Sequence, residues 1–195
     1  MAGHPKTTIG VFFVLISCLG LLFFSFIAAS GAANSGQGTL EIRLKDHREA
    51  IGDFSRLNLT LDQIALSPKA GLMFWHVAWN HLTPSVKTVD LTQYLGDKSI
   101  PVFRGSVDPG SFDGIHLKLK AVEGILKKDQ RNARIKNVVG PVKLIFEILP
   151  QKETVIILDL VVLDMSDHPP RGYELGVKGY ELYTNGKLID KIPPG

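Results

Sequence analysis

Residues 38–46 read GTLEIRLKD and residues 54–68 read FSRLNLTLDQIALSP, and these two stretches decide the fold. In the first, Leu40, Ile42 and Leu44 alternate with Glu41, Arg43 and Lys45. A period of two puts the aliphatic residues on one face of a strand and the charges on the other, whereas a helix needs apolar residues every three to four positions. In the second, Leu57, Leu59 and Leu61 keep odd positions while Ile64 and Leu66 take even ones. All five can face one core only if the strand carries an extra residue at Asp62-Gln63, a β-bulge.

The same period recurs downstream. Ile115, Leu117, Leu119 and Ala121 alternate with His116, Lys118 and Lys120 and are expected to face inward. Further strands are expected over residues 72–79, 100–105, 142–149, 154–163 and 173–183, separated by turn residues at the spacing of an all-β domain. Val155 to Leu163 is apolar on both parities except at Asp159, which predicts a central strand covered on two sides. Asn185-Gly186, between Thr184 and Lys187, supplies the positive φ angles of a type I′ hairpin turn. Val89 to Leu95 predicts one short helical turn. The fold class expected is therefore all-β: an antiparallel, Greek-key-like β-sandwich over residues 38–195, preceded by a single N-terminal transmembrane helix.

That helix is expected from Ile9 to Ala29, a 21-residue run interrupted only by glycine, serine and Cys18. At 1.5 Å per residue it spans roughly 31 Å, the thickness of a bilayer's hydrocarbon core. Lys6 and the amino terminus precede it, so the positive-inside rule places residues 1–8 in the cytoplasm and the rest outside. Small residues around Ala28 to Ala33 also fit a cleaved signal peptide, and Leu15-Ile16-Ser17-Cys18 resembles a lipobox. The length favours an uncleaved anchor over the first, and the apolar Leu19 to Ile27 argues against the second. Residues 30–37 then read as a flexible linker of about 15 Å.

Of 195 residues, 45% are hydrophobic and 21% charged, which excludes bulk disorder. The net charge of +3 is too small for a protein that coats nucleic acid. The single cysteine, Cys18, lies in the apolar run, so the ectodomain has no disulfide, thiolate metal site or redox pair.

Ordered short motifs carry a resemblance. They are Gly38 to Asp46, Phe54 to Pro68, Val89-Asp90-Leu91, Asp108 to Phe112 leading into Ile115-His116-Leu117, and Val155 to Asp159 followed by Gly172 to Leu175. Together, over nearly all of residues 38–184, they resemble the domain of unknown function 4382 family. The resemblance implies a secreted or membrane-tethered bacterial or archaeal β-sandwich and no particular chemistry. Where that pattern leads us to expect a small, proline-containing turn after the first strand, this chain has Asp46-His47-Arg48-Glu49.

Catalytic signatures are missing: there is no G-x-S-x-G elbow, no H-E-x-x-H helix and no glycine-rich phosphate loop opening a helix. No enzymatic activity and no cofactor are expected. Met73 to His81 holds both tryptophans, Trp75 and Trp79, together with His76 and His81. Trp75, Val77 and Trp79 would share one strand face, either as core or as an aromatic recognition surface. His76 and His81 suit copper by ligand type but stand on opposite strand faces. Asp159, Asp164 and Asp167 invite a calcium reading without a ligand-loop pattern. From Lys118 to Lys136, seven basic residues face only Glu123 and Asp129. Lys127, Lys128, Arg131 and Arg134 are its candidate interaction residues, in a solvated hairpin or against anionic lipid or an acidic partner.

The functional expectation is a non-catalytic, membrane-anchored extracytoplasmic binding or scaffolding module, an accessory subunit of a membrane or envelope complex. Its partners would be the bilayer, through residues 9–29, and other membrane or envelope proteins, with no nucleic acid. The alternative is a periplasmic metal-binding or carbohydrate-binding β-sandwich using the Trp75, His76, Trp79 and His81 region.

Overall fold

The structure, a computed structural model, describes residues 36–69, 78–169 and 171–192. The run 9–29 and residues 72–77 of one expected strand lie outside these. Among the described residues no helix is long and apolar enough to cross a membrane.

The described chain is all-β. Its strands are β1 (Gly38–Asp46), β2 (Phe54–Pro68), β3 (Asn80–Leu82), β4 (Thr88–Asp90), β5 (Ile100–Val107), β6 (Gly110–Leu126), β7 (Ile135–Asn137), β8 (Val142–Ile148), β9 (Glu153–Asp164), β10 (Tyr173–Thr184) and β11 (Lys187–Ile192). One sheet has the order β11-β10-β9-β1-β5, with β7 also on β10, and the other has β3-β2-β6-β8, with β4 also on β2. Between them lies one hydrophobic core that takes Leu40, Ile42 and Leu44 from β1, Leu57, Leu59 and Leu61 from β2, and Ile156, Leu158 and Leu160 from β9. Sharing a core across two sheets makes the fold sandwich-like.

The bulge in β2 stands where the alternation breaks. Leu61 pairs with Leu119 and Gln63 with Lys118, so Asp62 is the extra residue and Ile64 and Leu66 return to the core. The hairpin between β10 and β11 carries φ of 47° at Asn185 and 75° at Gly186. A short 3-10 turn forms at Leu91–Gln93, capped by the Asp90 carboxylate accepting from Thr92 N–H at 3.2 Å.

Two expectations need correction. The first sheet is mixed rather than antiparallel: β1 runs parallel to β9, and β7 parallel to β10. A parallel pair needs a long connection, and the second sheet's strands lie between β1 and β9 in the chain. Ala121 does not continue the inward series either. Leu119 pairs with Leu61 but Ala121 pairs with Thr60, so Lys120 is an extra residue and Val122 packs on the core instead. Gly124 follows on that same inner face, where a Cβ would stand 2.5 Å from the Phe54 ring and 2.6 Å from Ile135.

Candidate interaction surface

The expected basic residues sit where β6 turns back toward β7. Gln130 N–H donates to Leu126 carbonyl at 3.0 Å and Leu126 N–H to Arg131 carbonyl at 2.9 Å, closing a tight exposed loop. Lys127, Lys128, Arg131 and Arg134 are all exposed. Arg131 is held by Asp129, whose carboxylate accepts from Arg131 Nε at 2.7 Å, and this hydrogen bond lowers the Asp129 pKa. Lys127 Nζ donates to Gly52 carbonyl at 2.8 Å, tying the loop to the end of a 3-10 turn at Ala50–Asp53.

The fold divides the basic run. Lys118 lies up β6 beside Gln63, its Nζ donating at 3.4 Å. Arg134 and Lys136 belong instead to the β7 end, where Lys136 pairs with Glu174 at 2.8 Å. There Arg171 joins them around a small cavity, a residue that the linear charge run does not contain.

The aromatic segment is partly described. Trp75 and His76 lie outside the described residues. Trp79 precedes β3 rather than belonging to a strand; it is half-buried, and its ring meets His116 edge-on with centroids 6.4 Å apart. Burial lowers the His116 pKa, against a hydrogen bond involving the Val139 backbone. His81 is exposed on β3 opposite Ala65. Among the described residues no three His, Cys, Asp or Glu side chains are grouped to hold a metal ion.

The grouping of Asp159 with Asp164 and Asp167 does not form. Asp159 is buried in mid-β9 with its Oδ2 3.7 Å from Lys45 Nζ and 3.5 Å from His47 Nδ1. Asp164 is exposed and accepts from Ser166 N–H at 2.8 Å in a local turn.

A charged network instead spans the outer face of the first sheet. Glu181 receives Lys45 at 3.0 Å, Lys191 at 3.1 Å and the Tyr183 hydroxyl at 2.6 Å. Burial opposes its charge, but these hydrogen bonds outweigh it and hold the carboxyl at about 2. The same bond to Glu181, together with burial, raises the Tyr183 pKa. Nearer β5, the buried Glu41 pairs with Arg43 and Arg104, and Arg104 reaches Glu153 at 2.8 Å.

At the unusual turn after β1, Asp46 is fully buried and its Oδ2 accepts from Arg48 N–H at 2.6 Å. That bond closes the turn with Arg48 at a φ of 74°. The Oδ1 atoms of Asp46 and Asp159 are both buried without a hydrogen-bond partner. Desolvation pushes the Asp46 carboxyl up to about 6, with the Arg48 amide opposing and the Asp159 charge adding.

Residues 37–175 match the family model described as Domain of unknown function (DUF4382). No curated protein and no solved structure matches the chain.

Proposed function

We propose, for a chain that belongs to the domain of unknown function DUF4382 family, a non-catalytic role as a membrane-anchored extracytoplasmic binding module serving a membrane or envelope complex. The anchor is the 9–29 run, with the amino terminus inside and the β domain outside, close to the bilayer. The observation that carries the binding role is the exposed β6–β7 loop with the β7 end beside it, where Lys127, Lys128, Arg131 and Arg134 outnumber Asp129 at the surface. The loop stands at the Asp164–Tyr173 end of the first sheet, whereas Gly38 lies at the opposite end beside Glu153, so the partner that suits it is an acidic face on a neighbouring membrane or envelope protein.

The test is co-purification of the full chain from membranes in mild detergent, at low and high salt, with a variant carrying Gln at all four positions. Partner capture that falls in the variant and weakens with salt supports the reading, because exposed charge contacts are screened. Capture that is unchanged by both refutes it.

A further inference from the structure

We propose that the cavity between the starts of β7 and β10 binds a single phosphate group. It is an open pocket of about 120 Å³ lined by Arg134, Lys136, Arg171, Gly172, Tyr173 and Glu174. It suits one tetrahedral oxyanion, and the rest of any larger molecule would project into solvent.

The backbone explains why the cations meet here. β7 pairs parallel with β10, which sets Ile135 opposite Tyr173 and Lys136 opposite Glu174. Ile135 packs on the core side near Phe54 and Gly124, so its neighbours Arg134 and Lys136 turn to the other face. Arg171 arrives from the chain just before β10. Gly172, at φ of 147°, lets the two segments touch: a Cβ there would stand 2.6 Å from the Arg134 carbonyl oxygen. That same carbonyl accepts from Tyr173 N–H at 2.9 Å, which fixes the floor. The Tyr173 hydroxyl is engaged elsewhere, donating to Asp53 at 3.0 Å.

Charge then selects the ligand. Three cations face one carboxylate, a surplus of two positive charges, and Glu174 is already answered by Lys136. Among the described residues, the Arg134 and Arg171 guanidinium groups have no carboxylate within ion-pair distance. Each therefore keeps its planar fork for bidentate contact with oxyanion oxygens, which is the geometry phosphate rewards. Both arginines are exposed, so a ligand can enter without opening the fold. The shared chemistry is a phosphate group, free or carried as the phosphodiester of a lipid headgroup.

The inference deepens the reading of the basic loop and rests on it, and the test keeps the two apart. Inorganic phosphate is titrated into the full chain in non-ionic detergent at constant ionic strength, and binding is read by calorimetry and by thermal unfolding. Saturable binding that chloride does not reproduce is expected. Arg134→Gln with Arg171→Gln should weaken it at least about 100-fold, taking the loss of each guanidinium as about tenfold or more. Lys127→Gln, Lys128→Gln and Arg131→Gln together should leave it within about twofold, because screened charges outside the cavity act weakly. Glycerophosphoglycerol is the second probe. Affinity at least equal to that of inorganic phosphate identifies a headgroup diester as the source, and affinity about tenfold weaker identifies free phosphate. No saturable binding of either probe, or unchanged affinity in the Arg134/Arg171 variant, overturns the site. A phosphate site lost in that variant while partner capture survives loss of all four loop cations overturns the proposed function and leaves the phosphate site standing.

Discussion

Replacing Asp46 with Asn is expected to stabilise the domain at pH 8 and to remove much of its pH dependence between pH 4 and 8. Asp46 is 0% exposed, one carboxylate oxygen is bonded to Arg48 N–H, and the other has no partner. Its carboxyl rises from 3.8 to about 6, because burial disfavours the charge and Asp159 adds repulsion. The folded state thus holds the proton more tightly than the unfolded chain. The resulting stability is full below about pH 4 and is lost as pH rises through about 6. A difference of about two pKa units corresponds to about 3 kcal/mol. Asn keeps an oxygen for Arg48 N–H but places an amide where Oδ1 lacks a partner, forfeiting about 1 kcal/mol. The net gain of about 2 kcal/mol at pH 8 corresponds to about 4–8 °C in Tm for a domain of this size. Glu181 works in the opposite direction: held at about 2, it adds stability above about 4.5 that disappears only on acidification through about 2. His116, whose pKa burial lowers from 6.5, adds a slope of the opposite sign in the same range, so the difference between the parent chain and Asp46→Asn, rather than the slope of either alone, reports on Asp46. Melting curves of the full chain and Asp46→Asn in mild detergent, taken from pH 4 to 8, decide the matter. Parallel profiles, or a variant that melts lower at pH 8, would refute the argument.

Gly172→Ala should cost about 1–3 kcal/mol, since it places a Cβ 2.6 Å from the Arg134 carbonyl at a positive φ; faster hydrogen exchange at the Tyr173 amide would locate the damage at the β7–β10 junction. Glu181→Gln should lower the Tyr183 pKa toward about 10, measurable by ultraviolet titration, because the Tyr183 hydroxyl loses its anionic acceptor. It should also lower stability at pH 7, leaving Lys45 with Asp159 at 3.7 Å as its remaining acidic neighbour in the network. Trp79→Ala should cost about 1–2 kcal/mol, below the ~3–5 kcal/mol of a fully buried aromatic, because the ring is half-buried; denaturant unfolding measures this. Gln at Lys127, Lys128 and Arg131 should leave Tm nearly unchanged, since exposed charges add little to stability.

The strands of this domain were legible because one buried face imposes a strict period. Five aliphatic residues of β2 cannot share a face without an extra residue, so the position of the bulge followed from the sequence itself. The same logic contained a signal that the charge of one residue obscured. Asp46 continues the even series Leu40, Ile42 and Leu44, which places it on the buried face, yet an acid at a strand end reads as a turn residue. Ala121 was misplaced because Lys120, the extra residue in β6, breaks no run of apolar residues.

What alternation cannot reveal is which strands lie side by side and in which direction, because the period is two in either orientation. Both polar clusters of the first sheet depend on that missing information. The parallel register of β1 and β9 puts Lys45 opposite Asp159, and the parallel register of β7 and β10 puts Lys136 opposite Glu174 with Arg134 and Arg171 alongside. The basic loop, being local, could be read from the charge run, whereas the cavity needs Arg171, which joins only through the pairing of β7 with β10. A change that shifts this register, such as Gly172→Ala, should therefore disturb the phosphate site while leaving the Lys127–Arg131 loop in place. Phosphate affinity and loop-dependent partner capture would then separate in a single variant that removes no charge.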